Sequence, residues 1–90
     1  MAGYRTLLEL IAERQLGILG EVKTREVFRE AGLSLDTSRK LPGDEPGLDH
    51  LRVLTEKLFD KYGPVPIMGC KIPVKHLAKS EGLELPKLLR

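Results

Sequence analysis

Residues 48–62, LDHLRVLTEKLFDKY, constrain this chain more than any other stretch. Leu48, Leu51, Leu54, Leu58, Phe59 and Tyr62 recur at three- and four-residue steps, which places them on one face of an α-helix. Asp49, Arg52, Glu56, Lys57, Asp60 and Lys61 fall mostly on the other face, so the helix is amphipathic and packs on one side. Pro46-Gly47 breaks the chain ahead of it, Gly63 suits the left-handed position behind it, and Pro64 forbids continuation. At about 1.5 Å per residue the rod is roughly 22 Å long. In a chain of 90 residues this is expected to be the central helix.

The flanking segments punctuate themselves less cleanly. Residues 3–15 predict a first helix with Tyr4, Leu7, Leu8 and Ile11 inward and Arg5–Glu9 as a surface pair. Gly17 and Gly20 place its end or a kink near Gln15 to Gly17. A second helix is expected from Thr24, as N-cap, to Ala31, with Val27, Phe28 and Ala31 inward and Gly32 as its stop. Asp36 caps a short turn that Pro42 cuts off, and LPGDEPG, residues 41–47, reads as a loop. GPVPIMG has prolines two apart, which predicts an extended, partly buried run through Val65, Ile67 and Met68. Pro73 then opens a fourth helix, residues 73–81, with Val74, Leu77 and Ala78 inward and Gly82 as its stop. The expected fold is all-α: a small bundle of four main helices joined by short turns, one domain over residues 1–90.

Two segments echo each other. ILGEVKTREVFREAGLSL, residues 18–35, aligns with IMGCKIPVKHLAKSEGLEL, residues 67–85, with one residue inserted in the second. Each follows a longer amphipathic helix and ends in Gly-Leu-x-Leu. Two readings are open: two pseudo-repeated helix–loop–helix halves, or the recurrence of a common glycine C-cap with its hydrophobic contact.

Composition narrows the class of protein. Seventeen leucines and only four aromatic residues make an aliphatic core, while the absence of Asn, one Gln and 31% charged residues form a thermophile-like profile. A single cysteine, Cys70, forms no internal disulfide. No apolar run approaches the ~20 residues of a membrane-spanning helix. Glu9 and Glu13 interrupt the N-terminal apolar stretch in a way a signal peptide does not. A cytoplasmic protein without membrane contact is the expectation. The net charge is only +2, but residues 1–45 carry seven basic against eight acidic groups and residues 46–90 carry eight against five. Between Lys61 and Lys79 there is no acid, while Lys61, Lys71, Lys75, His76 and Lys79 are present, which marks a modest basic patch.

Chemistry-bearing motifs are few. Cys70 and His76 would need two more ligands to hold a metal, and His50 is the only other histidine. Lys71 and Lys75 could lower the Cys70 thiol pKa, but a lone cysteine in an apolar segment is more often a small core residue. There is no phosphate-cradling glycine loop, no Ser/His/Asp arrangement and no carboxylate pair set apart from surface charge. No catalytic, metal-binding or cofactor-binding residue is expected, and the chain does not read as an enzyme.

VKHLAKSEGLELPKLLR, residues 74–90, has the small–glycine–apolar spacing, Ala78, Gly82 and Leu88, of two short helices crossing at a turn. That suggests a helix-turn-helix nucleic-acid binder using Lys71, Lys75, Lys79 and Lys87, with Arg39 and Lys40 adding phosphate contacts. A recognition helix needs about two turns in the groove, and neither copy of the pattern offers one. Ile72-Pro73-Val74-Lys75-His76-Leu77-Ala78-Lys79 through Gly82-Leu83-Glu84-Leu85 also resembles the opening helix of the peripheral-subunit-binding domain of dihydrolipoyl acyltransferases. The resemblance covers about 14 residues, and the glycine-rich loop and second helix of that family have no counterpart after it. What it implies is a short helix serving a protein-binding surface. The leading expectation is a small non-enzymatic interaction or regulatory module that binds another protein or itself. Its patch combines Val65, Ile67 and Met68 with Lys75 and Lys79; nucleic-acid binding is the alternative.

Overall fold

A computed structural model describes residues 3–90. Four helices follow in order: α1, Tyr4–Ile18; α2, Glu21–Glu30; α3, Leu48–Tyr62; and α4, Val65–Glu81. A 3-10 turn, Lys87–Leu89, comes last, and the described residues contain no strand. The all-α bundle expected from the periodicity is therefore the fold. Helix α3 keeps its expected bounds and packs against α1, α2, α4 and the 3-10 turn, while the broadest pairing joins α1 to α4. Leu51, Leu54 and Leu58 lie fully inside, but Phe59 at the edge of that stripe stays 44% exposed.

The core takes one line of side chains from each helix. Leu7, Leu8 and Ile11 from α1 meet Val27 and Phe28 from α2, with Leu33, Leu41 and Leu89 filling in from the connecting segments. Truncating any of these leucines to alanine removes a fully packed side chain, a loss of about 2–5 kcal/mol in cores of this kind.

Three helix starts and ends differ from expectation. Helix α1 runs through Gly17 to Ile18, because Gln15 is fully buried and its Nε2 donates to the Pro66 carbonyl at 2.8 Å, fastening that turn to α4. Helix α2 begins at Glu21, behind Gly20 at φ +86°, and Thr24 is a buried residue of its second turn, not its cap. Glu21 in the first turn suits the positive end of the helix dipole.

The largest departure is α4. The segment expected to run extended, residues 63–69, is helical from Val65 onward, and Pro73 sits inside a 17-residue helix instead of opening a short one. Pro64 and Pro66 cost no hydrogen bond there, since first-turn N–H groups have no intrahelical acceptor, and Met68 N–H closes the first bond on the Pro64 carbonyl at 2.9 Å. Pro73 does cost one, the bond to the Gly69 carbonyl, roughly 3 kcal/mol in a helix interior. Continuing the helix puts Ile67, Cys70, Val74 and Ala78 on one line, at 5%, 0%, 0% and 1% exposure. At about 1.5–3 kcal/mol for a large apolar side chain buried, the two residues that the continuation adds to this line, Ile67 and Cys70, offset the proline. The short helix implied by the resemblance to the subunit-binding domain is absent for the same reason.

The order helix, two-residue link, helix, glycine stop occurs twice, across Leu19-Gly20 and across Gly63-Pro64. Both stops are Schellman turns. At the first, Leu33 N–H donates to the Phe28 carbonyl (2.9 Å) and Gly32 N–H to the Arg29 carbonyl (3.0 Å). At the second, Leu83 and Gly82 N–H donate to the Ala78 (2.8 Å) and Lys79 (3.4 Å) carbonyls. Gly32 and Gly82 hold φ of +80° and +67°, which only glycine adopts without strain. The other half of the echo does not match, since Gly20 separates two helices and Gly69 lies within one.

Between α2 and α3 the chain has no helix but is tied down. Arg25 donates to the Leu35 and Asp36 carbonyls (2.8 and 3.0 Å). Asp36 Oδ1 accepts the N–H groups of Ser38 and Lys40 (2.8 and 2.9 Å), the capping role its position suggested. Glu9 takes the Leu41 N–H at 2.9 Å and lies 3.9 Å from Lys40, while Arg5 pairs with Glu45 at 3.7 Å and donates to the Gly43 carbonyl. The expected Arg5–Glu9 pair is thus replaced by two contacts that clamp this loop onto α1.

Candidate functional site

Helix α4 carries the surface feature that stands out. Among the described residues six large apolar side chains are exposed, Ile18, Val22, Phe59, Val65, Met68 and Ile72, and the last three, at 62%, 69% and 68%, are on α4. At about 100° per residue, Val65, Met68, Ile72, Lys75, His76 and Lys79 fall within an arc of roughly 100°, opposite the buried line. The result is one stripe, about 21 Å long at 1.5 Å per residue, apolar toward the N-terminal end and cationic toward the C-terminal end.

Of the residues expected to form a binding patch, Val65, Met68, Lys75 and Lys79 share this stripe. Ile67 does not. It is 5% exposed and belongs to the core, because helical geometry turns residue 67 away from its neighbours at 65 and 68. Ile72, which no earlier expectation included, takes its place; its i+7 spacing from Val65 is visible only once the segment is known to be helical.

The cationic half of the stripe borders a groove of about 600 Å³ between α4 and residues 83–90. Ile72, Ala78, Leu83 and Leu85 supply apolar walls, and Lys75, Lys79 and Arg90 line it with positive charge beside the His76 imidazole. None of its lining residues is acidic. Lys75, His76 and Lys79 form no ion pair among the described residues. Tyr4 Oη donates to the Glu84 carbonyl at 2.9 Å and Arg90 Nε to the Leu85 carbonyl at 3.0 Å, which fix the far wall.

The other lysines of the basic stretch are dispersed. Lys71 continues the four-residue row of Lys75 and Lys79 but is half-buried. Lys87 lines a separate groove beside Leu48, Arg52 and Glu56. Lys61 is on α3, where its ammonium reaches Glu26 at 2.8 Å and Glu30 at 2.6 Å across to α2. Hydrogen bonds and charge from these carboxylates raise the Lys61 pKa, and the hydrogen bond from Lys61 holds the Glu26 carboxyl below its usual value. Lys61 is thus a helix–helix tie and not part of the patch. Arg39, in the loop after α2, has φ +64°, and Lys40 faces Glu9.

The residues weighed for chemistry have structural surroundings. Cys70 is fully buried, its thiol donates to the Ile67 carbonyl at 3.6 Å, and burial pushes its pKa up to about 11. A thiol so placed stays protonated near neutral pH. His50 Nδ1 accepts the Gly47 N–H at 3.2 Å, capping α3. Among the described residues no three His, Cys, Asp or Glu side chains gather as metal ligands, and no helix is long and apolar enough to cross a membrane.

Comparison of the chain with family models, with curated proteins and with solved structures finds no match in any of the three.

Proposed function

We propose that this protein is a small non-enzymatic interaction module whose docking surface is the outward face of α4. The observation that carries this reading is the alignment of Val65, Met68 and Ile72, three exposed large apolar side chains, in one row that runs into an uncompensated cationic groove. Single exposed apolar residues are ordinary, whereas a contiguous row rimmed by charge is the surface pattern of a binding site. Met68 at its centre suits adaptable packing.

Site-specific photo-crosslinking tests it. A photoreactive side chain at position 68 is expected to give a discrete protein adduct in cells that make the protein, and Ile72→Glu is expected to abolish it. Position 22 is the control, since Val22 is more exposed still, at 78%, but stands apart on α2. Equal, diffuse labelling at both positions would sink the reading. A nuclease-sensitive adduct, with duplex binding that weakens steeply as salt rises, would replace it with nucleic-acid binding through the lysine row.

A further inference from the structure

We infer that the face of α4 receives an acidic amphipathic helix of a partner protein, aligned antiparallel to α4. The inference rests on the reading of this face as an interaction surface and adds the chemistry and direction of what occupies it. Three observations lead there.

The first is the absence of any strand among the described residues. No sheet edge is offered for strand addition, and a helix, which satisfies its own backbone, suits a surface made of side chains. The second is the division of the stripe. Val65, Met68 and Ile72 ask for an apolar row, and Lys75, Lys79 and Arg90 ask for carboxylates at one end only. Carboxylates are favoured in the first turns of a helix, so the partner's N-terminal end belongs over the C-terminal half of α4. That direction also opposes the two helix dipoles.

The third observation excludes a second copy of this chain as the natural occupant. Most carboxylates on its own exposed helix faces are already engaged, and Glu13 on α1 and Asp60 on α3, which form no ion pair among the described residues, are on different helices and make no row. Glu21 pairs with Arg25 at 3.2 Å, Glu26 and Glu30 pair with Lys61, and Asp49 and Glu56 pair with Arg52 at 3.7 and 3.3 Å. Neither α2 nor α3 therefore presents an unpaired acidic row with an apolar stripe beside it. The complementary charge comes from elsewhere.

The test uses three labelled synthetic helices of about 18 residues, long enough to hold helical structure, read by fluorescence anisotropy against the full chain. All share one leucine stripe. One has glutamates in its first two turns, one has them in its last two, and one has lysines in place of the first set. The acid-first peptide is expected to bind at least about tenfold more tightly than the lysine version, more tightly than the acid-last one, and less well as salt rises. The double variant Lys75→Glu, Lys79→Glu is expected to lose about tenfold for the acid-first peptide and to gain affinity for the lysine peptide. That reciprocal swap is not something a misfolded variant could produce. Met68→Ser with Ile72→Ser is expected to weaken every peptide alike. Acid-first binding that ignores the lysine reversal would overturn the inference. So would a dimer in sedimentation whose position-68 crosslink joins two copies of the chain. If position 68 crosslinks a discrete protein while the acid-first peptide fails to bind, the interaction reading stands and this inference falls; if both fail, both fall.

Discussion

Replacing Pro73 with alanine separates two structures for the second half of the chain. If α4 began at Pro73, the proline would occupy the first helical position, where its fixed φ helps and its missing N–H costs nothing. Pro73→Ala would then be neutral or slightly destabilising. In the structure Pro73 lies eight residues inside Val65–Glu81, and alanine there restores the N–H that bonds the Gly69 carbonyl and removes the ring that crowds it. The propensity difference in a helix interior is about 3 kcal/mol in favour of alanine. Against it stands the packing of the ring, which is only partly buried; losing about one buried CH₂ equivalent costs about 0.8 kcal/mol. The net expectation is a gain of about 2 kcal/mol. For a domain of this size that raises Tm by roughly 8–16 °C and moves the urea midpoint up by about 1–2 M at an unchanged slope. Urea unfolding followed by circular dichroism reads both quantities. A variant with the same or a lower midpoint would refute the continuous helix, or show that the ring contributes far more packing than its exposure implies.

Three further outcomes follow from the same structure. Thr24 is fully buried and its Oγ1 has no hydrogen-bond partner, so Thr24→Val, which keeps the shape and removes the stranded hydroxyl, is expected to stabilise by about 1 kcal/mol in thermal unfolding. Gly→Ala changes should carry opposite signs at two positions. Gly82→Ala loses about 1 kcal/mol because φ there is +67°, whereas Gly17→Ala gains roughly 0.5–1 kcal/mol because Gly17 is helical with open space around it. Lys61→Gln is expected to flatten the acid limb of the stability curve. Glu26 is held below its ordinary value of 4.5 by Lys61, so its contribution is complete above that pH and fades as pH falls through the lower folded value. The urea midpoint of the parent chain should therefore drop more than that of Lys61→Gln between about pH 7 and about pH 3. Parallel curves would show that the Lys61 tie contributes nothing.

Much of the bundle was legible because it depends on period and stops. The leucine spacing and the glycine–proline brackets mark both ends of helix α3, Leu48–Tyr62, and the inward residues of α1 and α2, Leu7, Leu8, Ile11, Val27 and Phe28, are those the stripes predict. Gly32 and Gly82 act as stops in both echoed segments. Starts were harder to read. Thr24 has the right chemistry for a cap and the wrong place, because Gly20 turns the chain earlier with no side chain involved. The pairing of Arg5 and Glu9 with a loop more than 30 residues away leaves no local trace, and neither does the burial of Gln15 against α4.

The prolines hide the path of α4, and the reason is geometric. Pro64, Pro66 and Pro73 carry the same local restriction wherever they occur, but its cost depends on position: none in the first turn, one hydrogen bond in the interior. Sequence spacing alone does not reveal that the burial of Ile67 and Cys70 compensates for the interior one. Once residues 65–72 become helical, the period changes from two to 3.6. An extended run would put Val65 and Ile67 on one side and Met68 on the other. The helix turns Ile67 into the core and lines Val65 and Met68 up with Ile72, and then with Lys75 and Lys79 farther along. Val65, Met68, Lys75 and Lys79 share the stripe as their selection expected, whereas Ile67 belongs to the core and Ile72 takes its place. A stripe that is apolar at one end and cationic at the other exists only on the continuous helix, so Pro73→Ala bears on the proposed docking face as well as on the fold. If α4 were broken at Pro73, Val65 and Met68 would have no fixed register with Lys75 and Lys79, and an antiparallel acidic helix would have nothing to align to.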